Sequence, residues 1–390
     1  GFFALPYITL KVGVFVMLSY FLVLGFLVIL IHLMYGEIAL KTPDFKRFPG
    51  FVGFHLGKWF GRLSLVFTTI GSFGVLLVYL IVGTDFLSNV FLPIFGGNKL
   101  LYVFIYFALA SLTIYFGIKI VSKIELAVIC FLLLVLVLVF TKGFSQFNLN
   151  NIFIKSTDFG IKNLFLPYGA IMFSLWGTGM IPEIEEMLRG NKKLIKNIII
   201  TAILTPAVVY LFFIFLVLGI TGSDTTQSAL LGLKSFLGNG VVTLGILIGV
   251  ATTFVGFITI GLTLNKILVY DLKIKNFHSW IITCFTPLIL FLIGLNSFIG
   301  LISFIGGVLL GVDGILILLM YKKIGGKKLI AHRHTATRAF EDKPVLVSGF
   351  NNTNSYIGVG LADGEEHLFS VDHGAGETIK KHRTNGISQI

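Results

Sequence analysis

The 390-residue chain is 56% hydrophobic and only 12% charged, with 40 Phe and a mean hydropathy of +0.95. Soluble domains carry roughly a quarter charged residues, and a single anchor needs only about 20 apolar ones, so both a soluble protein and a singly anchored one are excluded. The formal charge of +12 does not indicate nucleic acid, because the Lys and Arg residues sit between apolar runs rather than on one accessible face.

Residues 1–11 read as the second half of a broken helix. The opening Gly-Phe-Phe has neither an initiator Met nor a basic n-region, so the expectation is a true N-terminus further upstream and a truncated helix one. Apolar runs suited to spanning helices follow at 14–39, 63–92, 100–118, 124–140, 164–188, 195–219, 241–269, 280–294 and 298–321. Lipid offers no hydrogen-bond partners, so each run is expected to be helical. Cys130 and Cys284 fall inside such runs with no C-x-x-C pair; both read as small buried apolar residues, without disulfide or metal. The run 280–294 is short, and Gly294-Leu-Asn-Ser297 after it carries turn chemistry that separates it from the last span.

After Lys328 the composition turns polar, and "KPVLVSG" and "SYIGVGLADGEEHLFSVD" read as short strands. The chain therefore divides into a polytopic transmembrane domain over 1–328 and a polar tail over 329–390.

Lys and Arg favour alternate connections by roughly three to one. One set includes Lys41, Lys46, Arg47, Lys58, Arg62, Lys119, Lys123, Arg189, Lys192, Lys193, Lys196, Lys266, Lys273, Lys275, Lys322, Lys323, Lys327 and Lys328. Lys11, Lys99, Lys142, Lys155, Lys162 and Lys234 make up the other. The first set is expected to face the cytoplasm, which puts the tail on the same side.

Two segments interrupt the helical pattern with one spacing, G-x-x-x-x-P: Gly1 to Pro6 and Gly177 to Pro182. They belong to helices one and six, so five helices separate them and the two repeats run in opposite directions. Corresponding breaks of this kind point to a transporter's substrate site. An unwound helix in a bilayer frees N–H and C=O groups, and a zwitterion satisfies both. Phe2, Phe3 and Ala4, beside Gly1, offer donors and a positive helix end to a carboxylate. Ser174, Leu175 and Trp176 offer carbonyls to an ammonium, and Gly177, Thr178 and Gly179 supply the freed backbone, the glycines through dihedral angles that β-branched residues avoid. The bland alternative is a pair of kinks in packed helices.

Pro182 and Glu183, Glu185 and Glu186 read as the start of a resumed helix; for Glu183 both a cap and a place in an inner gate stay open. His32, Glu37, Asp85 and Asp313 are ionisable residues inside apolar runs and are functional candidates by default. Glu37 suits snorkelling. Asp313 is the proton or cation candidate, against a polar packing contact. Thr252 and Thr253 could supply hydroxyls to a sodium ion, against bonding to their own preceding turn.

"GFFALPYITLKVG" resembles the broken first helix of amino acid permeases of the amino acid/polyamine/organocation superfamily, usually written G-x-G-[IL]-x-A-L-P-Y. "MFSLWGTGMIPEIEEMLRGNKK" resembles that family's sixth helix and "LTLNKILVYDLK" the exit of its eighth. The branch resembled is the bacterial one related to aromatic amino acid permeases and to the auxin/amino acid permease group. The resemblance covers about 1–328 and implies an all-α integral membrane protein with a leucine-transporter-like five-plus-five inverted repeat, substrate being held at both breaks. Residues 331–383 are similar to a C-terminal fragment of RtcB-type RNA ligases. His373 stands where that family's guanylated histidine falls, but Glu377 replaces its motif's Arg and the upstream metal ligands have no counterpart. The expectation is two pieces joined by fusion or misassembly, with no ligase activity and no nucleic-acid partner.

The reading is a secondary transporter of neutral or aromatic amino acids in the cytoplasmic membrane, working by alternating access and coupled to H+ or Na+. No catalytic residue, metal or cofactor is expected. The partners are the amino acid and the lipid bilayer, and the oligomeric state stays open. The rivals are a channel or membrane scaffold and, last, an RNA-modifying enzyme acting through the tail.

Overall fold

The computed structural model describes residues 1–42, 46–117, 121–154, 163, 165–188, 194–270, 272–326, 336–338, 344–347, 356–359 and 370–372. Lys119, Lys155, Lys162, Arg189, Lys192, Lys193, Lys327 and Lys328 of the charge pattern lie outside these residues, as do His373 and Glu377 of the tail. The chain divides into two compact units, Gly1–Gly326 and Lys327–Ile390.

Among the described residues, every regular element of the first unit is a helix. A 3-10 turn at Phe2–Ala4 leads into α1 (Leu5–Val12), followed by α2 (Val14–Lys41), α3 (Phe48–Leu56), α4 (Lys58–Phe95), α5 (Lys99–Phe116) and α6 (Val121–Gly143). The second half begins with α7 (Leu166–Leu175) and α8 (Ile181–Met187), then α9 (Ile195–Thr221), the single turn α10 (Lys234–Leu237), α11 (Asn239–Tyr270) and α12 (Asn276–Leu292). It ends with α13 (Phe298–Phe304), a π segment at Ile305–Leu309 and α14 (Leu310–Gly326), stacked as one long helix.

Among the described residues, seven helices are long and apolar enough to cross a membrane. The other three expected segments are shorter: Phe2–Val12, Asn276–Leu292 and the broken pair α7 and α8. Counted with them, the two halves each contain five membrane-directed segments, and each half opens on its broken one. No helix is expected from the sequence between residues 39 and 63, where α3 lies; its Phe48, Phe51 and Val52 are buried.

Local chemistry sets the ends. Gly13 at φ +88° turns the chain between α1 and α2 in a region that L side chains rarely adopt. The Asn98 side chain accepts from the Leu101 N–H at the start of α5, and Gly117 in the left-handed conformation closes it.

Small residues let the helices approach. The ring of Tyr79 on α4 packs over Gly256 of α11, where an added Cβ would stand 2.7 Å from it. Phe86 covers Gly249 in the same way, also at 2.7 Å. Gly169 of α7 and Gly306 of the π segment bring two backbones together with no room for a Cβ on either. Lipid drives no hydrophobic association between helices, so such close packing supplies much of the cohesion.

One expectation is corrected here. Cys284 is buried, but Cys130 is exposed. It sits on a spanning helix, so its thiol faces outward from the bundle, where lipid rather than protein covers an apolar side chain.

At the Lys- and Arg-rich end, Glu37 binds Lys41 at 2.7 Å and accepts from the Tyr321 hydroxyl at 3.0 Å. Arg47 pairs with Glu183 at that end. Asp85 pairs with Lys99 across the α4–α5 turn.

Among the described residues, the second unit holds four short strands. β1 (Ala336–Arg338) pairs antiparallel with β4 (Ser370–Asp372), and β2 (Pro344–Val347) with β3 (Tyr356–Val359).

Candidate functional site between the two helix breaks

The second break follows from how α7 ends. Trp176 leaves the helix with ψ 118°, Gly177 continues at φ −132° and ψ 23°, and a 3-10 turn at Thr178–Met180 leads to Pro182 in the first turn of α8. Each freed peptide group needs a partner. The Gly177 N–H donates to His32 Nε2 at 2.9 Å, the Ser174 carbonyl accepts from the Tyr210 hydroxyl at 3.4 Å, and the Gly177 carbonyl accepts from the Met180 N–H at 3.0 Å.

The first break lies against the second. A Cβ on Gly1 would collide with Ser174 Oγ and the Phe173 ring, so the two breaks touch. The Phe3 carbonyl accepts from the Ala229 N–H at 3.2 Å, which brings the connection between α9 and α10 onto the break.

A cavity of about 190 Å³ lies between them. Gly1, Phe2 and Phe3 line it from the first break, Phe173 and Ser174 from the second, Tyr79 from α4, Tyr210 from α9, and Thr252 and Thr253 from α11. Its walls are aromatic: Phe2 stacks on Tyr210 with ring centres 5.2 Å apart, and Phe3 meets the Phe86 edge at 5.0 Å. A second cavity, of about 240 Å³, is lined by Trp176, Thr178, Gly179, Pro182 and Asp313 and reaches Arg47 and Pro49. Tyr79 and Phe173 line both cavities and form the partition between them.

The candidate residues therefore separate into groups. Gly1, Phe2, Phe3, Ser174, Thr252 and Thr253 share the first cavity, while Trp176, Thr178, Gly179 and Asp313 share the second. Ala4 and Leu175 are packed in the core and line neither. Gly177 is bound by His32 instead.

The expected reason for glycine at 177 and 179 is corrected. Neither residue has a positive φ, so neither needs glycine's dihedral freedom. An added Cβ at Gly177 would rest 3.9 Å from His32 Nε2, and one at Gly179 would meet nothing within 4 Å. What these glycines supply is open space.

The Thr252 hydroxyl donates to the Gly249 carbonyl at 3.0 Å, and that of Thr253 to Gly249 and Val250 at 2.8 and 2.9 Å, all within the preceding turn. By contrast Asp313 Oδ1 is buried without a hydrogen-bond partner among the described residues, as are Trp176 Nε1 and the Tyr35 hydroxyl. Among the described residues there is also no cluster of His, Cys, Asp or Glu suited to a metal ion.

Tyr79, Phe173, Tyr210 and Ala229 join the site without being among the residues expected from the sequence. Tyr210, a hydroxyl in an otherwise apolar run, carried a faint signal, while Ala229 carried none.

Two inverted five-segment repeats whose broken first members meet at a cavity define a secondary transporter. The chain belongs to the tryptophan/tyrosine permease family, whose profile matches residues 1–329. Among solved structures, the chain is similar to Mhp1, a nucleobase-cation-symport-1 family transporter in a closed conformation with bromovinylhydantoin bound. The identity is 13% and the TM-score 0.59, covering 81% of this chain and 73% of that one. At this identity the likeness shows the fold, the five-plus-five arrangement of the leucine-transporter type. Residues 319–389 are similar to the tRNA-splicing ligase RtcB profile. No curated protein matches the sequence.

Proposed function

We propose that the chain carries neutral or aromatic amino acids across the cytoplasmic membrane by alternating access, coupled to protons. The observation that carries this reading is the contact of the two breaks at an aromatic cavity that Phe2, Phe3, Ser174 and Tyr210 line together. Peptide groups at a break recognise an α-carboxylate and an α-ammonium, and the Phe2, Phe3 and Tyr210 rings suit an apolar or aromatic side chain.

Proton coupling is favoured over sodium coupling by the contrast between the candidates. Thr252 and Thr253 are engaged with their own helix, while Asp313, whose Oδ1 has no hydrogen-bond partner among the described residues, lines the cavity beside the second break. An ionisable residue within a spanning helix, facing a cavity beside the break, is a candidate proton carrier. The Lys- and Arg-rich end, with the tail that follows it, is assigned to the cytoplasm. The tail is read as an RtcB-like fragment without ligase function, since His373 stands without that family's metal ligands.

Uptake into liposomes containing the purified protein tests the reading. Saturable accumulation of tryptophan or tyrosine driven by an inward proton gradient is expected, and tight competition by the decarboxylated amines is not. Accumulation driven by sodium alone would overturn proton coupling, and solute flux without saturation would favour a channel.

A further inference from the structure

His32 lies in the interior of α2, a 28-residue spanning helix, and is 2% exposed. Burying an imidazole in an apolar bundle is costly unless both ring nitrogens are partnered. Here both are. Nδ1 stands 2.8 Å from the Val28 carbonyl, and Nε2 stands 2.9 Å from the Gly177 nitrogen. A carbonyl only accepts and a peptide N–H only donates, so the hydrogen-bond network assigns the proton to Nδ1 and leaves a lone pair on Nε2. The ring is further held edge-on to Trp176, with centroids 5.1 Å apart at 76°.

The Gly177 N–H would pair with the Phe173 carbonyl if α7 continued for one more residue. That competition decides where the helix ends. We propose that His32 is a positioning residue for the substrate site: its Nε2 draws the Gly177 N–H out of the α7 ladder and so fixes the point at which the second break unwinds. The inference rests on the transport reading for its consequence, but its structural content is independent of any substrate. It links α2, in the first repeat, to the break of the second repeat through one acceptor atom.

The test uses the full chain with three variants. The amide oxygen of His32→Gln reaches the position of Nε2, that of His32→Asn reaches only the position of Nδ1, and His32→Leu keeps the volume without an acceptor. Hydrogen–deuterium exchange of peptides covering 173–181 reads the bond directly and needs no substrate. Protection is expected in the parent protein and in His32→Gln, with at least tenfold faster exchange in His32→Asn and His32→Leu. Uptake by liposomes should follow the same order, with KM within about threefold of the parent for Gln and at least tenfold higher for Asn and Leu. Unchanged exchange in His32→Leu, or equal behaviour of the Gln and Asn variants, would overturn the positioning role. The expected exchange pattern in a parent protein that takes up no amino acid would support the positioning role and overturn the transport reading.

Discussion

Arg47 and Glu183 form an ion pair that joins the segment before α3 to the helix resuming after the second break. Their side chains are 35% and 41% exposed, so the pair contributes at most about 1 kcal/mol to stability. It lies where the wider cavity reaches Arg47, which suits a gate better than a structural clamp. Arg47→Glu is expected to reduce uptake at least tenfold at near-normal thermal stability, and adding Glu183→Arg should recover a substantial part of it. A double-mutant cycle on uptake rates measures this, and strictly additive losses would remove the pair from the gate.

Glycines at packed and open positions should respond differently to a methyl group. Gly249→Ala places a methyl group 2.7 Å from the Phe86 ring, which in turn supports Phe3. Overpacking of this kind costs about 1–3 kcal/mol, so a lowered unfolding midpoint and weaker substrate binding are both expected. Gly179→Ala meets nothing within 4 Å and should leave the midpoint unchanged. Thermal unfolding in detergent compares the two directly.

Coupling predicts a different separation. Asp313→Asn should abolish accumulation driven by a proton gradient while leaving exchange of labelled for unlabelled substrate intact, because a neutral amide still fills the site but carries no proton. Thr252→Ala and Thr253→Ala each remove a hydroxyl already bonded to its own helix and should change accumulation less than threefold. Gradient-driven uptake surviving in Asp313→Asn would exclude this carboxyl from coupling.

Sidedness can be read by cysteine labelling in a background with Cys130 and Cys284 replaced. Lys234 and Lys58 are both exposed and lie in opposite charge sets. An impermeant thiol reagent added to intact cells is expected to modify Lys234→Cys and not Lys58→Cys. The reverse pattern would invert the orientation.

Composition and hydropathy alone determined that this chain is a membrane protein with many helical spans, because lipid leaves an apolar segment of this length few alternatives to a helix. The repeated G-x-x-x-x-P spacing at Gly1 and Gly177 also disclosed both breaks and their inverted relation, since glycine and proline are local disruptions that show in a linear pattern. What fills each freed hydrogen bond was decided only by the tertiary structure: His32 lies 145 positions from Gly177 and Tyr210 lies 36 from Ser174. The same holds for the division of the candidate residues between two cavities, with Asp313 apart from Thr252 and Thr253. Helix periodicity reports which residues share a face, but the face that meets a given neighbour is set by close packing, through contacts such as Tyr79 on Gly256 and Gly169 against Gly306.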